Sequence, residues 1–196
     1  MKKEHYHFKV YKPFGMLSQL KSNNHKETRT KRFLSELYNF PEGTMAIGRL
    51  DEKSEGLLFL TTDGKRSDII NRSGIEKEYF AQLDGIITES AIEALEKGVV
   101  IGFEGKKYKT KQCKATLLQT PPDLPLPNSK LRIGRHRPTS WIKVVITEGK
   151  FRQLRKMTAA VGYPTVRLIR TRIGNTLLRG MQPGDVLAEI IDQIET

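Results

Sequence analysis

Residues 48–64, GRLDEKSEGLLFLTTDG, pass from a charged Gly-Arg-Leu-Asp segment into the apolar run Leu57–Leu60 and close on Asp63-Gly64. An unbroken apolar run bounded by turn residues predicts a strand buried on both faces, and Asp-Gly predicts a turn after it. Upstream, HFKVYKPFGMLSQ (7–19) reads as a strand entering a Pro-Gly turn and SNNHKETRTKR (22–32) as a polar, basic loop. Phe33, Leu34 and Leu37 have helical spacing, stopped by Pro41 and Gly43. Downstream, KEYFAQLDG (77–85) alternates like a strand. ITESAIEALEKG (87–98) carries Ile92 and Leu95 on one helical face, with Thr88 as N-cap and Gly98 as stop.

The rest of the chain extends this pattern. Strands are expected at 99–101 and 107–118, then a long Pro-rich loop through 121–138. A strand at 139–150, a helix at 151–162 ending at Gly162, and strands at 165–173 and 186–191 complete the reading. Strands without regularly alternating helices predict an α+β fold on a mixed, mostly antiparallel sheet. No internal repeat and no clear domain boundary stand out, so residues 1–196 read as a single domain.

The formal net charge is +12, and its location narrows the function. Residues 127–179 hold thirteen Lys and Arg against one acid, Glu148, while the remainder sums to zero. Charge this localised suits a polyanion, and nucleic acid fits better than a membrane surface because no long basic amphipathic helix accompanies it. A single cysteine, Cys113, excludes an intramolecular disulfide and a Cys-rich zinc site and suits a reducing cytosol. MKKEHYHFKV lacks an apolar signal core, and no apolar run reaches about 18 residues, so a soluble cytoplasmic protein is expected. Neither GxGxxG, a P-loop nor ligands at metal spacing occur, so neither cofactor nor metal is expected; His5 and His7 alone do not make a metal site.

In the 151–162 segment Arg152, Arg155 and Lys156 fall at i, i+3 and i+4, a cationic stripe opposite Leu154, Met157 and Val161. Such a stripe grips phosphates or simply faces water, and the scarcity of acids around it favours phosphates. Arg167, Arg170 and Arg172 alternate along the next strand, so at least one is expected to face inward and pair with a carboxylate. The Arg-Leu-Asp triplet before the core strand is, by composition alone, as suited to a turn or cap as to a site.

GRLDEKSEGLLFLTTDG resembles the catalytic motif of the RNA pseudouridine synthases. KEYFAQLDG resembles their second motif, ITEGKFRQLRKMTAAVGYPTVRLIRTRIG (146–174) their third, and KPFGMLSQ (12–19) their N-terminal signature. The four matches occur in family order over nearly the whole chain and are most similar to the RsuA-type branch, among members acting on large-subunit rRNA without an N-terminal S4 RNA-binding domain. Phe151 stands where relatives often have Asn or His, Lys156 where they have Arg, and Ser54 where they have Thr.

The resemblance implies the pseudouridine synthase catalytic fold, a sheet in two closely packed halves flanked by helices with the catalytic cleft between them. It implies isomerisation of a specific uridine in ribosomal RNA, 23S rRNA or a large-subunit precursor, by a monomer. Asp51 would be the catalytic carboxylate, Arg155 its cationic partner, and Tyr79 the ring stacked on the extruded base. Arg49 would hold the RNA backbone and Leu168 close the uracil pocket, with Lys150, Arg152, Lys156 and Arg170 as further RNA-binding cations.

The chemistry suits those residue types. Pseudouridine forms by breaking the bond from uracil N1 to ribose C1′, turning the base and joining C5 to C1′, with neither redox change nor water consumed. An ionised carboxylate near the sugar serves as nucleophile or base. It needs a cation beside it, because burial alone raises a carboxyl pKa. The target must be flipped out or unpaired to present C1′. Two other classes remain open on the residues: a non-catalytic rRNA-binding or ribosome assembly protein, and an RNA hydrolase or glycosidase using Glu52, Glu55 or Glu148 as a second acid.

Overall fold

The structure is a computed structural model that describes residues 4–134 and 137–188. The chain forms two compact units, residues 1–75 with 170–196 and residues 76–169. Within the described residues no helix is long and apolar enough to cross a membrane.

Unit 1 begins with β1 (His7–Lys12), α1 (His25–Thr30), β2 (Met45–Ile47), β3 (Glu55–Thr61) and α2 (Gly64–Arg72). The apolar run expected to be doubly buried is β3, and every residue of it is buried. It is flanked by antiparallel β1, with Val10 opposite Leu58, and by β2, with Ile47 opposite Phe59. Gly56 is required there: its φ is +107°, and a Cβ would overlap the Arg170 carbonyl oxygen.

Three local expectations are corrected in this unit. Asp63-Gly64 is not a hairpin turn; Asp63 caps α2, its carboxylate accepting from the backbone N–H groups of Lys65 and Arg66. Those bonds, Arg66's first, hold its carboxyl below the usual range. The polar stretch 22–32 contains α1, a helix with no buried residue, capped by Asn24. The helix expected around Phe33 and Leu37 shrinks to a 3-10 turn at Leu34–Glu36, because the Glu36 carboxylate folds back to accept from the Phe33 N–H.

Unit 2 contains β4 (Lys77–Asp84), α3 (Glu89–Lys97), β5 (Val100–Phe103), β6 (Lys106–Lys109), β7 (Lys114–Leu118), β8 (Thr139–Ile146) and α4 (Gln153–Ala160). β9 (Thr165–Ile173) begins in this unit and passes into unit 1 at Arg170, where β10 (Thr176–Leu177) and β11 (Val186–Ala188) follow. The central pairing here is antiparallel β4 with β8, Tyr79 opposite Val144, and β8 also pairs antiparallel with β7. In unit 1, β10 turns back on β9 and β11 pairs antiparallel with β1. The mixed but largely antiparallel α+β reading is therefore borne out.

α3 has the expected caps, Thr88 accepting from the Ala91 N–H and Gly98 ending the helix at φ +83°. The strand expected over 107–118 is two strands, broken where the Thr110 hydroxyl caps the Val99 N–H and the Lys111 N–H turns to Glu148. Of the strand expected at 186–191, residues 189–191 lie outside the described residues, as do Arg135 and His136 of the expected loop.

Candidate active site

The Gly48–Ser54 segment leaves β2 and returns as β3. Between the strands it is held by the segment that follows β1. The Ser18 hydroxyl donates to the Leu50 carbonyl at 2.7 Å and accepts from the Leu50 N–H at 2.9 Å. Gly15 N–H donates to the Glu52 carbonyl at 2.8 Å. Leu50 is buried beside them, so the residues on either side of Asp51 have fixed backbones. Asp51 is half-buried, and its own carbonyl accepts from Ser54 N–H.

Lys12 is fully buried, although a lysine in a basic sequence gave no sign of this. Its Nζ donates to the carbonyls of Met16 (2.7 Å), Pro13 (3.0 Å) and Glu52 (3.4 Å). Desolvation pulls its pKa from 10.5 to about 7, opposed by the negative charges of Glu55, Asp51 and Glu52 and assisted by the positive charge of Arg170. Arg170 is 3% exposed, its Nε donating to the Leu57 carbonyl at 2.7 Å, and its Nη2 is buried with no hydrogen-bond partner among the described residues. Unit 1 thus places half-buried Asp51 and buried Arg170 within electrostatic reach of buried Lys12. Arg49 is exposed and donates to the Gln19 side chain at 3.2 Å.

Unit 2 holds the other residues. Tyr79 and Leu168 are buried on β4 and β9. Arg155 is half-buried in α4 and donates to the Thr165 carbonyl at 3.1 Å. The single cationic stripe is corrected at one end, because α4 starts at Gln153. Arg152 precedes the helix in a left-handed conformation (φ 52°), so it does not share the helical stripe of Arg155 and Lys156. Gln153 is buried instead, its amide accepting from the Lys150 N–H and donating to Glu148.

The acids proposed for a hydrolase find different employment. Glu148 also accepts from Tyr108 Oη at 2.6 Å and from the Lys111 N–H at 2.8 Å, and Glu52 pairs with Lys31 at 2.8 Å. Glu55 is buried within β3. Cys113 donates to the Leu95 carbonyl at 3.2 Å, and burial pushes its thiol up to about 11, consistent with an unreactive side chain.

A family model described as RNA pseudouridylate synthase matches residues 6–160, a span that includes the stapled Asp51 segment, Tyr79 and Arg155. This chain belongs to the RNA pseudouridine synthase family. It is 39% identical over 175 residues to ribosomal large subunit pseudouridine synthase E of Xanthomonas campestris, covering 88% of this chain and 89% of that one. It is 31% identical to ribosomal large subunit pseudouridine synthase B of Bacillus subtilis, covering 94% of this chain and 68% of the relative. A solved pseudouridylate synthase shares the fold with a TM-score of 0.75 at 24% identity, covering 97% of this chain and 73% of that structure. Among synthase residues the sequence reading passed over, Lys12 and Ser18 lie inside the quoted KPFGMLSQ signature. Their signal was the motif itself, whose conformational purpose only the folded loop reveals.

Proposed function

We propose that this synthase converts a uridine of ribosomal RNA to pseudouridine, with Asp51 as the carboxylate that acts at the sugar. The observation that carries the reading is Asp51 itself, half-buried between backbone-anchored neighbours and electrostatically coupled to buried Lys12. A carboxylate carried on so fixed a backbone is held in one place, as nucleophilic attack at C1′ or proton removal beside it requires. The names of the two relatives support ribosomal RNA as substrate and, more finely, the large-subunit RNA; in this reading the protein works as a cytoplasmic monomer.

In this reading N1–C1′ cleavage is followed by rotation of the held base and C5–C1′ bond formation, and the C5 proton then leaves. Tyr79 supplies a stacking face and a hydroxyl suited to assist that proton's departure, while Leu168 closes the pocket. By the family resemblance Arg155 has the role of cation to the catalytic carboxylate and Arg49 that of holding the backbone of the extruded nucleotide, while Lys150, Arg152 and Lys156 grip flanking phosphates. Arg170 is too buried to meet phosphate, and its positive charge acts instead on neighbouring Lys12.

The test is incubation with rRNA carrying tritium at uridine C5. Release of tritium without strand scission or free uracil is the expected result, and the Asp51→Asn variant should release none. Binding without tritium release would assign a non-catalytic rRNA-binding role, and free uracil would assign a glycosidase.

A further inference from the structure

The described residues contain two non-glycine positions with positive φ, Glu104 (50°) and Arg152 (52°), and both belong to one part of unit 2. Glu104 turns the β5–β6 hairpin, and Arg152 ends the loop that enters α4. Such conformations cost free energy and persist where the surroundings enforce them. Glu104 owes its conformation to the two-residue turn it shares with Gly105, whereas the loop before Arg152 is braced by Glu148, the one acid among the thirteen cations of residues 127–179. Glu148 takes donors from Tyr108 and the Lys111 N–H on the hairpin side and from Gln153 at the start of α4. Its hydrogen bond also raises the Tyr108 pKa, which keeps the phenol a donor.

The braced loop presents Phe151, 68% exposed, amid cations. Lys156 Nζ lies 5.5 Å from the Phe151 ring centroid and donates to the Gly102 carbonyl of the hairpin at 2.8 Å. Lys150 Nζ lies 5.0 Å from the Phe103 ring and 5.4 Å from Tyr108. Lys106 is exposed and, by strand alternation, on the Tyr108 face of the hairpin. Aromatic rings interleaved with ammonium groups on a rigid exposed surface match single-stranded RNA, which offers bases to stack and phosphates to neutralise.

We propose that the β5–β6 hairpin and residues 150–152 form an accessory single-stranded RNA platform in which Phe151 stacks on an unpaired base outside the reacting nucleotide. Lys106, Lys150 and Arg152 neutralise the adjoining phosphates. Glu148 is the positioning residue. The inference rests on the RNA substrate proposed above and adds a contact that the reaction itself does not require.

The full chain is tested by fluorescence anisotropy with labelled oligouridylate and with a fully paired RNA hairpin across a salt series. Phe151→Ala is expected to weaken oligouridylate binding about tenfold. The slope of log Kd against log salt should not change, because no charge is lost. Phe151→Tyr should bind like wild type, and hairpin affinity should hardly move. Being exposed, the position does not threaten folding. Equal oligouridylate affinity for Phe151→Ala and wild type would overturn the platform, as would equal loss on the paired hairpin. So would loss of binding to polyglutamate with RNA binding intact, which would assign the face to an acidic protein. Tritium release by the wild-type protein is scored separately, so a failure of the catalytic reading and a failure of this platform give different results.

Discussion

Asp51 follows directly on Leu50, whose N–H and carbonyl both engage Ser18, so the backbone that carries the carboxylate is fixed. Asp51→Asn should therefore fold and bind RNA like wild type while turnover falls below about one per cent; circular-dichroism melts, RNA titration and single-turnover tritium release check the three parts. Lys12 gives a second prediction at the residue scale. With a native pKa of about 7 against 10.5 for an unburied lysine, the unfolded chain binds more protons across that window. Stability contributed by this residue must then rise as pH increases from about 7 to 10.5 and be lost as pH falls through 7. Urea unfolding of wild type and Lys12→Met at pH 6.5 and pH 9.5 should show wild type gaining a few kcal/mol relative to the variant. Parallel pH dependences would mean that Lys12 stays charged in the native state.

At the scale of elements, β3 depends on one glycine and α2 on one cap. A side chain at Gly56 would strike the Arg170 carbonyl oxygen, and the φ of +107° is strained for any L-residue. Gly56→Ala should cost about 3 kcal/mol or more, because neither β3 nor β9 can shift without breaking its pairing. Asp63→Ala removes the acceptor for the Lys65 and Arg66 N–H groups and should cost about 1 kcal/mol. Thermal unfolding separates them: a loss for Gly56→Ala no larger than for Asp63→Ala would show that the backbones relax around the new methyl group.

Across the whole molecule, charge is divided unevenly. Unit 2 carries 17 Lys and Arg against 9 acids, a net +8, and unit 1 carries 17 against 13, a net +4. RNA affinity should consequently fall steeply with salt as bound phosphates release counterions. Replacing Lys150, Arg152 and Lys156 together by Gln should lower the log–log slope by roughly 2 and weaken binding to unrelated RNAs alike. An unchanged slope in the triple variant would move the phosphate contacts elsewhere on the basic segment.

Strands β1, β3, β4, β8 and β9, the α3 and α4 helices and the motif residues were legible in the sequence because they depend on local regularities: unbroken or alternating apolar residues, a Thr cap, a terminating glycine, a motif read in order. Asp63-Gly64 was misread because Asp-Gly suits a turn and a helix start equally, and only the chain beyond it decides. Arg152 left the predicted stripe because Glu148 and Gln153 brace the loop before α4, a constraint between residues that no period of 3.6 contains. Lys12 was hidden for a related reason. Its burial is a property of its neighbours, since the carbonyls of Pro13, Met16 and Glu52 and the charges of Asp51, Glu55 and Arg170 converge on it only after distant segments have folded together. Sequence by itself determined the family, the α+β class and the motif that holds the proposed catalytic carboxylate, because these follow from residue type and order. Only tertiary structure decided which cations are buried beside Asp51 and which face water, because desolvation depends on what surrounds a charge in space.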